Sequence, residues 1–306
     1  MQFVRVLGRT LIFTGILGII ICVISGHYLS KRLLKPIRNI AGIAKDITAK
    51  NLDKRIPFDG PDDELKELSV IFNSMIERLE SDFEKQRRFI SDASHELRTP
   101  LAVILGHVNM LNRWGKNDIE VLSHSLSSLK AETERMRKLV EDLLYLAKND
   151  NNSLTLKVEE FPLDMLLKEV ADESKLIHHD YSIMHNCDDN HLLKADYNAI
   201  KQVLINLVDN SVKYSMSPGE IIIKAEKIIE GALITVEDKG IGIPSESLPY
   251  IFDRFYRVDE SRTKATGGSG LGLSIAKQIV HYHNGTISVE SKPGEGTRII
   301  IFLPQS

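Results

Sequence analysis

The sequence predicts a multidomain chain. Its parts are one transmembrane helix, a juxtamembrane coiled coil, a helical hairpin that pairs with a second copy as a four-helix bundle, and a mixed α/β C-terminal half. Three observations carry that prediction. Leu11–Leu29 is nearly free of charge. Beyond it, seam residues alternate at spacings of three and four from Leu65 to Ala147, with one break near Leu79 and a turn near Gly115. Runs rich in β-branched residues appear only after about residue 154. A length of 306 residues suits several small domains better than one.

Composition excludes some functions. A net charge of −3 with both signs mixed, and no long basic block, gives no case for a nucleic-acid partner. Cys22 lies in an apolar run and Cys187 in a polar one. Two such distant thiols make neither a disulfide framework nor a zinc site, and they suit a reducing compartment for the bulk of the chain.

The first element is LIFTGILGIIICVISGHYL, residues 11–29. Roughly 20 apolar residues cross a bilayer as a helix. Arg5 and Arg9 before the run also suit a cleaved signal peptide, but no small-residue cleavage site follows and the helical pattern continues into Lys31-Arg32-Leu33-Leu34-Lys35-Pro36. Lys31, Arg32, Lys35 and Arg38 outnumber Arg5 and Arg9, which places the C-terminal side in the cytoplasm. So short a leading segment holds no extracellular sensor: either the sensor is minimal or the protein begins upstream of Met1.

The second element is a pair of helices around a polar connector, Asn51–Asp62. Its second helix carries Leu65, Leu68, Phe72, Met75 and Leu79, then Phe83, position 86 and Ile90. The intervals read 3, 4, 3, 4, 4, 3, 4, which is a stutter that locally unwinds a supercoil. Such a break lets a helix rest in either of two packings.

The third element is the hairpin, about 83–150, turning at Trp114-Gly115-Lys116-Asn117-Asp118. Its second arm is regular: Ile119, Leu122, Leu126, Leu129, Thr133, Met136, Val140, Leu143 and Ala147. A hairpin with a seam on both arms cannot bury them alone, so a homodimer follows. On the first arm Ser94, Leu101 and Val108 take heptad position a. His95 then falls at b, Glu96 at c and Thr99 at f, all directed away from the seam. Pro100 interrupts the helical bonding at the Glu96 carbonyl, at a cost unless a bend there is useful. A surface histidine beside an acid can receive a chemical group from whatever docks outside.

In the last part, strand candidates 220–227, 233–237, 286–291 and 297–302 alternate with four motifs. The first is a helix whose Asn206, Asn210 and Lys213 share one face. Amide oxygens are hard neutral ligands suited to Mg²⁺, and lysine meets phosphate as a point charge. The second is Asp238-Lys239-Gly240-Ile241-Gly242, an acid at a strand end followed by glycines that let a base approach the backbone. The third is the aromatic segment Phe252–Arg257. The fourth is Gly267-Gly268-Ser269-Gly270-Leu271-Gly272, which opens a helix where amides can hold phosphate. It follows a polar loop rather than a strand, which rules out a dinucleotide fingerprint.

Together these motifs resemble the bacterial sensor histidine kinases of two-component systems, over the chain from about Tyr28 to its end. The resemblance implies a HAMP relay at 30–82, a dimerisation and histidine phosphotransfer hairpin at 83–150, and a two-layer α/β ATP-binding domain at 151–306, after an N-terminal tail and span at 1–29. It implies that His95 is the phospho-acceptor, Glu96 its proton acceptor, and Thr99 the group that aims water in the reverse reaction. ATP and Mg²⁺ follow: Asn210 on the metal, Asn206 supporting it, Asp238 with Gly240 and Gly242 at the adenine, Tyr214 beside the base, and Lys213 with Gly268, Gly270 and Gly272 at the phosphates. Loop 258–272 becomes a lid. The expected partners are a response regulator with an acceptor aspartate, a second copy of the chain, and lipid around residues 11–29. The protein would sit in the cell membrane with its catalytic domains cytoplasmic. A chaperone-type ATPase of the same fold has no need of the membrane span or the exposed histidine, and a silent scaffold would have lost ligands that are present here.

Overall fold

The computed structural model describes residues 2–47, 51–57, 64–115, 118–150, 156–187, 191–216, 218–258 and 268–305. Lys116 and Asn117 of the turn, the end of the connector, and Gly267 with most of the expected lid lie outside these residues. The chain divides into two compact units, Met1–Ile90 and Ser91–Ser306.

The first unit opens with helix α1 (Gln2–Asp46), which runs on past the apolar segment as its sequence suggests. Leu7–Lys31, 25 residues, is long and apolar enough to cross a membrane. At 1.5 Å per residue it exceeds a hydrocarbon core of about 30 Å. The connector then packs on the start of α2 (Glu64–Trp114). Leu52 and Ile56 are buried there with Ile76 of α2. The Asn73 amide clips the connector: its oxygen accepts from the Ile56 N–H at 2.9 Å, and its nitrogen donates to the Ile56 carbonyl at 3.1 Å. The seam residues Leu68, Met75, Leu79 and Phe83 are exposed in the single chain.

In the second unit α2 continues through Pro100 without a break in helical structure, and α3 (Ile119–Asp150) returns against it. Asp118 caps α3, its carboxylate accepting from the Glu120 and Val121 N–H groups. The His107 and His124 rings meet across the hairpin with centroids 5.8 Å apart. The a/d residues of α3 are not what the single chain buries: Ile119, Leu122, Leu126 and Val140 are exposed, while Ser125, Leu139 and Leu146 are buried. These buried positions lie fourteen and seven residues apart, one position before the seam.

The α/β part has a two-stranded antiparallel sheet of β1 (Val158–Pro162) and β3 (Leu192–Asp196). A five-stranded sheet runs in the order β2-β4-β5-β7-β6. It comprises β2 (Tyr181–Cys187), β4 (Gly219–Ile228), β5 (Gly231–Asp238), β6 (Thr286–Lys292) and β7 (Gly296–Pro304). β2 is parallel to β4, and the other pairs are antiparallel. One face is covered by α4 (Leu163–Ile177), α5 (Tyr197–Tyr214) and α6 (Gly272–Tyr282). Strand alternation explains this second layer. Ile221, Ile223, Ile234, Val236, Ile299 and Ile301 point inward against Leu166, Val170, Leu204, Leu207 and Ile279, all buried. Each such side chain contributes about 1.5–3 kcal/mol by burial.

Candidate functional site

Within the second unit a cavity of about 710 Å³ opens between the hairpin and the α/β layer, a volume suited to a small molecule. Helix α5 builds one wall. Asp196 caps it by accepting from the Ala199 N–H at 3.0 Å, and its apolar stripe packs on the sheet. That leaves Asn206, Asn210 and Lys213 on the cavity side, as their shared face predicts. Asn206 is 5% exposed; its oxygen accepts from Gln202 at 3.1 Å and its nitrogen donates to the Gly272 carbonyl at 3.4 Å. The first bond lies within α5, and the second ties α5 to the first residue of α6. Asn210 lines the wall beside it.

The glycine loop forms the opposite wall. Gly270 has φ +70°, and a Cβ there would lie 2.9 Å from the Phe255 backbone. The crossing is held by the Phe255 N–H, which donates to the Gly270 carbonyl at 3.0 Å. The aromatic segment and the glycine loop are thus one structure. Lys213 Nζ fills the space that a Cβ at Gly268 would take, 5.0 Å above the Tyr214 ring centroid. Burial, with Arg257 and Arg135 adding repulsion, pushes the Lys213 ammonium down to about 8.

Asp238, Gly240 and Gly242 form a separate group outside the cavity lining. The Asp238 carboxylate accepts from the Gly240 N–H at 2.8 Å and from the Ser211 hydroxyl at 3.0 Å. Burial raises its pKa, against the pull of those bonds. Gly242, at φ +69°, passes so close to the Lys292 carbonyl that a side chain would collide with it. The group joins the cavity through Ser211 of α5 and through Tyr214, whose carbonyl accepts from the Ile241 N–H at 3.0 Å.

On α2, His95 and Thr99 are exposed and lie outside the cavity lining. The Thr99 hydroxyl donates to the His95 carbonyl at 3.4 Å. Glu96, on a flank away from the seam, does not face open solvent. It lines the cavity and pairs with Arg257 at 2.7 Å, because the α/β layer covers that flank of the helix. Arg257 therefore links the hairpin to the aromatic segment.

A charged stripe on α3, which no sequence motif marks, completes the cavity. Lys138 pairs with Asp209 of α5 at 3.2 Å, and His178 Nε2 lies 3.4 Å from the same carboxylate. Asp142 accepts from the Ser269 hydroxyl at 3.4 Å, and burial pushes its carboxyl up to about 6. Arg135 lines the same wall. The available signal is spacing: positions 135, 138 and 142 share one helix face beside the apolar seam.

Fold and site define a class: a two-layer ATPase-type domain docked on a histidine-bearing helical hairpin, following a membrane-length helix. Residues 28–81 match the HAMP domain, 85–152 the His Kinase A phospho-acceptor domain, and 195–306 the histidine kinase-, DNA gyrase B- and HSP90-like ATPase. The chain belongs to the sensor histidine kinases of two-component systems. It is 38% identical over 283 residues to sensor histidine kinase YkoH of Bacillus subtilis, covering 91% of this chain and 62% of that one. It is 35% identical over 290 residues to signal transduction histidine-protein kinase ArlS of Staphylococcus aureus, covering 94% and 64%. The chain thus spans less than two thirds of the length of either relative. Histidine kinase ThkA, solved in complex with response regulator protein TrrA, superimposes with a TM-score of 0.58 at 27% identity, covering 75% of this chain and 66% of that one.

Proposed function

We propose that this protein is a membrane-anchored histidine kinase that phosphorylates His95 from ATP and passes the phosphoryl group to an aspartate of a separate response regulator. One observation carries the reading. The exposed His95 adjoins Glu96, and Glu96 reaches through Arg257 into the cavity that holds Asn206, Asn210 and Lys213. Acceptor and nucleotide site thus share one compact unit. The similarity to ThkA, a kinase solved together with its response regulator, supports extending the partner class to this chain.

In this reading the α/β domain presents the γ-phosphoryl group to the unprotonated ring nitrogen of His95. A nitrogen–phosphorus bond forms, the bond to the ADP oxygen breaks, and Glu96 accepts the proton released from the ring. Arg257 must first let go of Glu96. Lys213 and the amides at the start of α6 hold phosphate charge, and most of the acceleration is positioning. The donor set suits Mg²⁺: Asn210 offers one neutral amide oxygen beside the pinned Asn206, and an ion that keeps several waters needs little more from the protein once phosphates are present. Bound there, Mg²⁺ would neutralise phosphate charge. Asp238 would accept from the adenine amino group, with Gly240 and Gly242 giving the base room and Tyr214 packing beside it. Thr99, one turn from His95, would aim water at the regulator's aspartyl phosphate.

The proposed divisions are 1–29 for the tail and span, 30–82 for the relay, 83–150 for the hairpin and 151–306 for the catalytic domain. Leu7–Lys31 would cross the membrane with the basic residues after it on the cytoplasmic side. The exposed row Leu101, Val108, Ile119, Leu122, Leu126 and Val140 supports a second copy closing a four-helix bundle.

The test uses the full chain in lipid nanodiscs. With γ-labelled ATP and Mg²⁺ the chain should acquire label, and adding a cognate receiver domain should drain it. Label that never forms, or that stays on the chain with every receiver from the same organism, would refute the reading.

A further inference from the structure

Three cations converge on one end of the cavity without enough anions to match them. Lys213 and Arg257 come from the α/β domain, and Arg135 comes from α3 of the hairpin. The local carboxylates are already engaged. Glu96 is taken by Arg257, and Asp209 by Lys138 and His178. Asp142 accepts from the Ser269 hydroxyl and feels the charge of Lys138. Arg257 is only 14% exposed, and its buried Nε has no hydrogen-bond partner among the described residues. Lys213 is half-buried and feels the repulsion of both arginines. Among the described residues Arg135 has only a long ion pair with Glu132, at 3.9 Å one turn back on its own helix, and its side chain is 43% exposed. A half-buried group of like charges with an unfilled donor is a site waiting for a polyanion.

We propose that Arg135 is a phosphate-binding residue that reaches from the hairpin to the terminal phosphate of the nucleotide. The inference rests on the nucleotide reading of the cavity and adds a residue from the other side of it. The chemical consequence is selectivity. A nucleoside triphosphate brings one more phosphoryl group than a diphosphate. A guanidinium on the hairpin wall meets that extra group, while Lys213 and the α6 amides sit on the domain that holds the rest. The triphosphate then bridges the α/β domain to the hairpin, and the diphosphate does not. Docking of the domain would follow the state of the nucleotide, through charge-assisted bonds that a diphosphate cannot reach.

The test compares binding of a non-hydrolysable ATP analogue and of ADP, each with Mg²⁺, to the full chain in nanodiscs by calorimetry. Arg135→Gln should lower the analogue-to-ADP affinity ratio by about three- to tenfold, the scale of one partly screened charge-assisted bond. ADP affinity itself should stay within twofold. Arg135→Lys should recover part of the ratio as a point charge. Glu132→Gln removes the arginine's own ion-pair partner and should leave the ratio equal or higher. If Arg135→Gln leaves the ratio unchanged, or if Glu132→Gln lowers it equally, Arg135 is only a helix-surface residue and the proposal is overturned. Failure of the unaltered chain to bind either nucleotide would instead overturn the nucleotide reading beneath it.

Discussion

Lys213 gives the most quantitative prediction. Its ammonium is pushed down to about 8 because burial and two arginines disfavour the charged form. A bound polyphosphate favours that form, so the pKa rises again on binding. The sign follows. At pH 7 about nine tenths of the free protein already carries the charge, and binding needs no proton. At pH 9 about one tenth does, so binding must take up a proton at Lys213 and affinity falls. Full loss of the pre-charged population gives a tenfold weakening between pH 7 and 9, and solvent screening of a half-buried group trims it to about three- to tenfold. The ligand does not confuse the reading, since a terminal phosphate loses its last proton near pH 6. Calorimetry of ADP binding at pH 7, 8 and 9, in buffers of different ionisation heat, measures both the affinity and the proton uptake. Lys213→Met should bind more weakly at pH 7 and lose the slope. Affinity that is flat across this range in the unaltered chain, or a slope that survives in Lys213→Met, would refute the placement of Lys213 at the phosphates.

Other predictions address the remaining roles. Asn210→Ala should cut autophosphorylation by about 100-fold or more while the unfolding midpoint holds, because Asn210 lies on the cavity wall rather than in the sheet-facing core; a Mg²⁺ titration that restores normal activity would place the metal elsewhere. Thr99→Ala should keep autophosphorylation within about threefold and lose most regulator dephosphorylation, since only a 3.4 Å bond to the His95 carbonyl is given up; parallel loss of both rates would make Thr99 a helix-bonding residue. Deleting one residue between Leu79 and Phe83 restores an even repeat and should lock the ratio of the two activities; a ratio that still responds in membranes would reduce the stutter to an accident.

How much of this is legible in the sequence depends on the range of the interaction. The long helices, the four predicted strands, and the shared face of Asn206, Asn210 and Lys213 all follow from local periodicity, and each has its counterpart in the structure. The strands β1, β2 and β3 are less visible. β2 mixes Ser182, His185 and Asn186 with its apolar residues, and it pairs with β4 across more than thirty positions of sequence. The glycine loop reads as a phosphate cradle, but its fixation by Phe255 does not show, because backbone bonds leave no composition signal. Heptad counting puts Glu96 on an outer face, and it is on one. That face is covered by a domain more than a hundred residues later, which no local pattern encodes. The charges of α3 are inconspicuous for the same reason: Arg135, Lys138 and Asp142 resemble any solvated stripe until α5 and the glycine loop are set against them.

The central claim is that His95 is the acceptor. Incubating the full chain with γ-labelled ATP and Mg²⁺ and testing the label's stability decides it most directly. The label should be labile in acid and stable in alkali, as a nitrogen–phosphorus bond is. His95→Gln should take up no label and should still bind ADP with unchanged affinity. Label that persists in His95→Gln, or that survives acid, would contradict it.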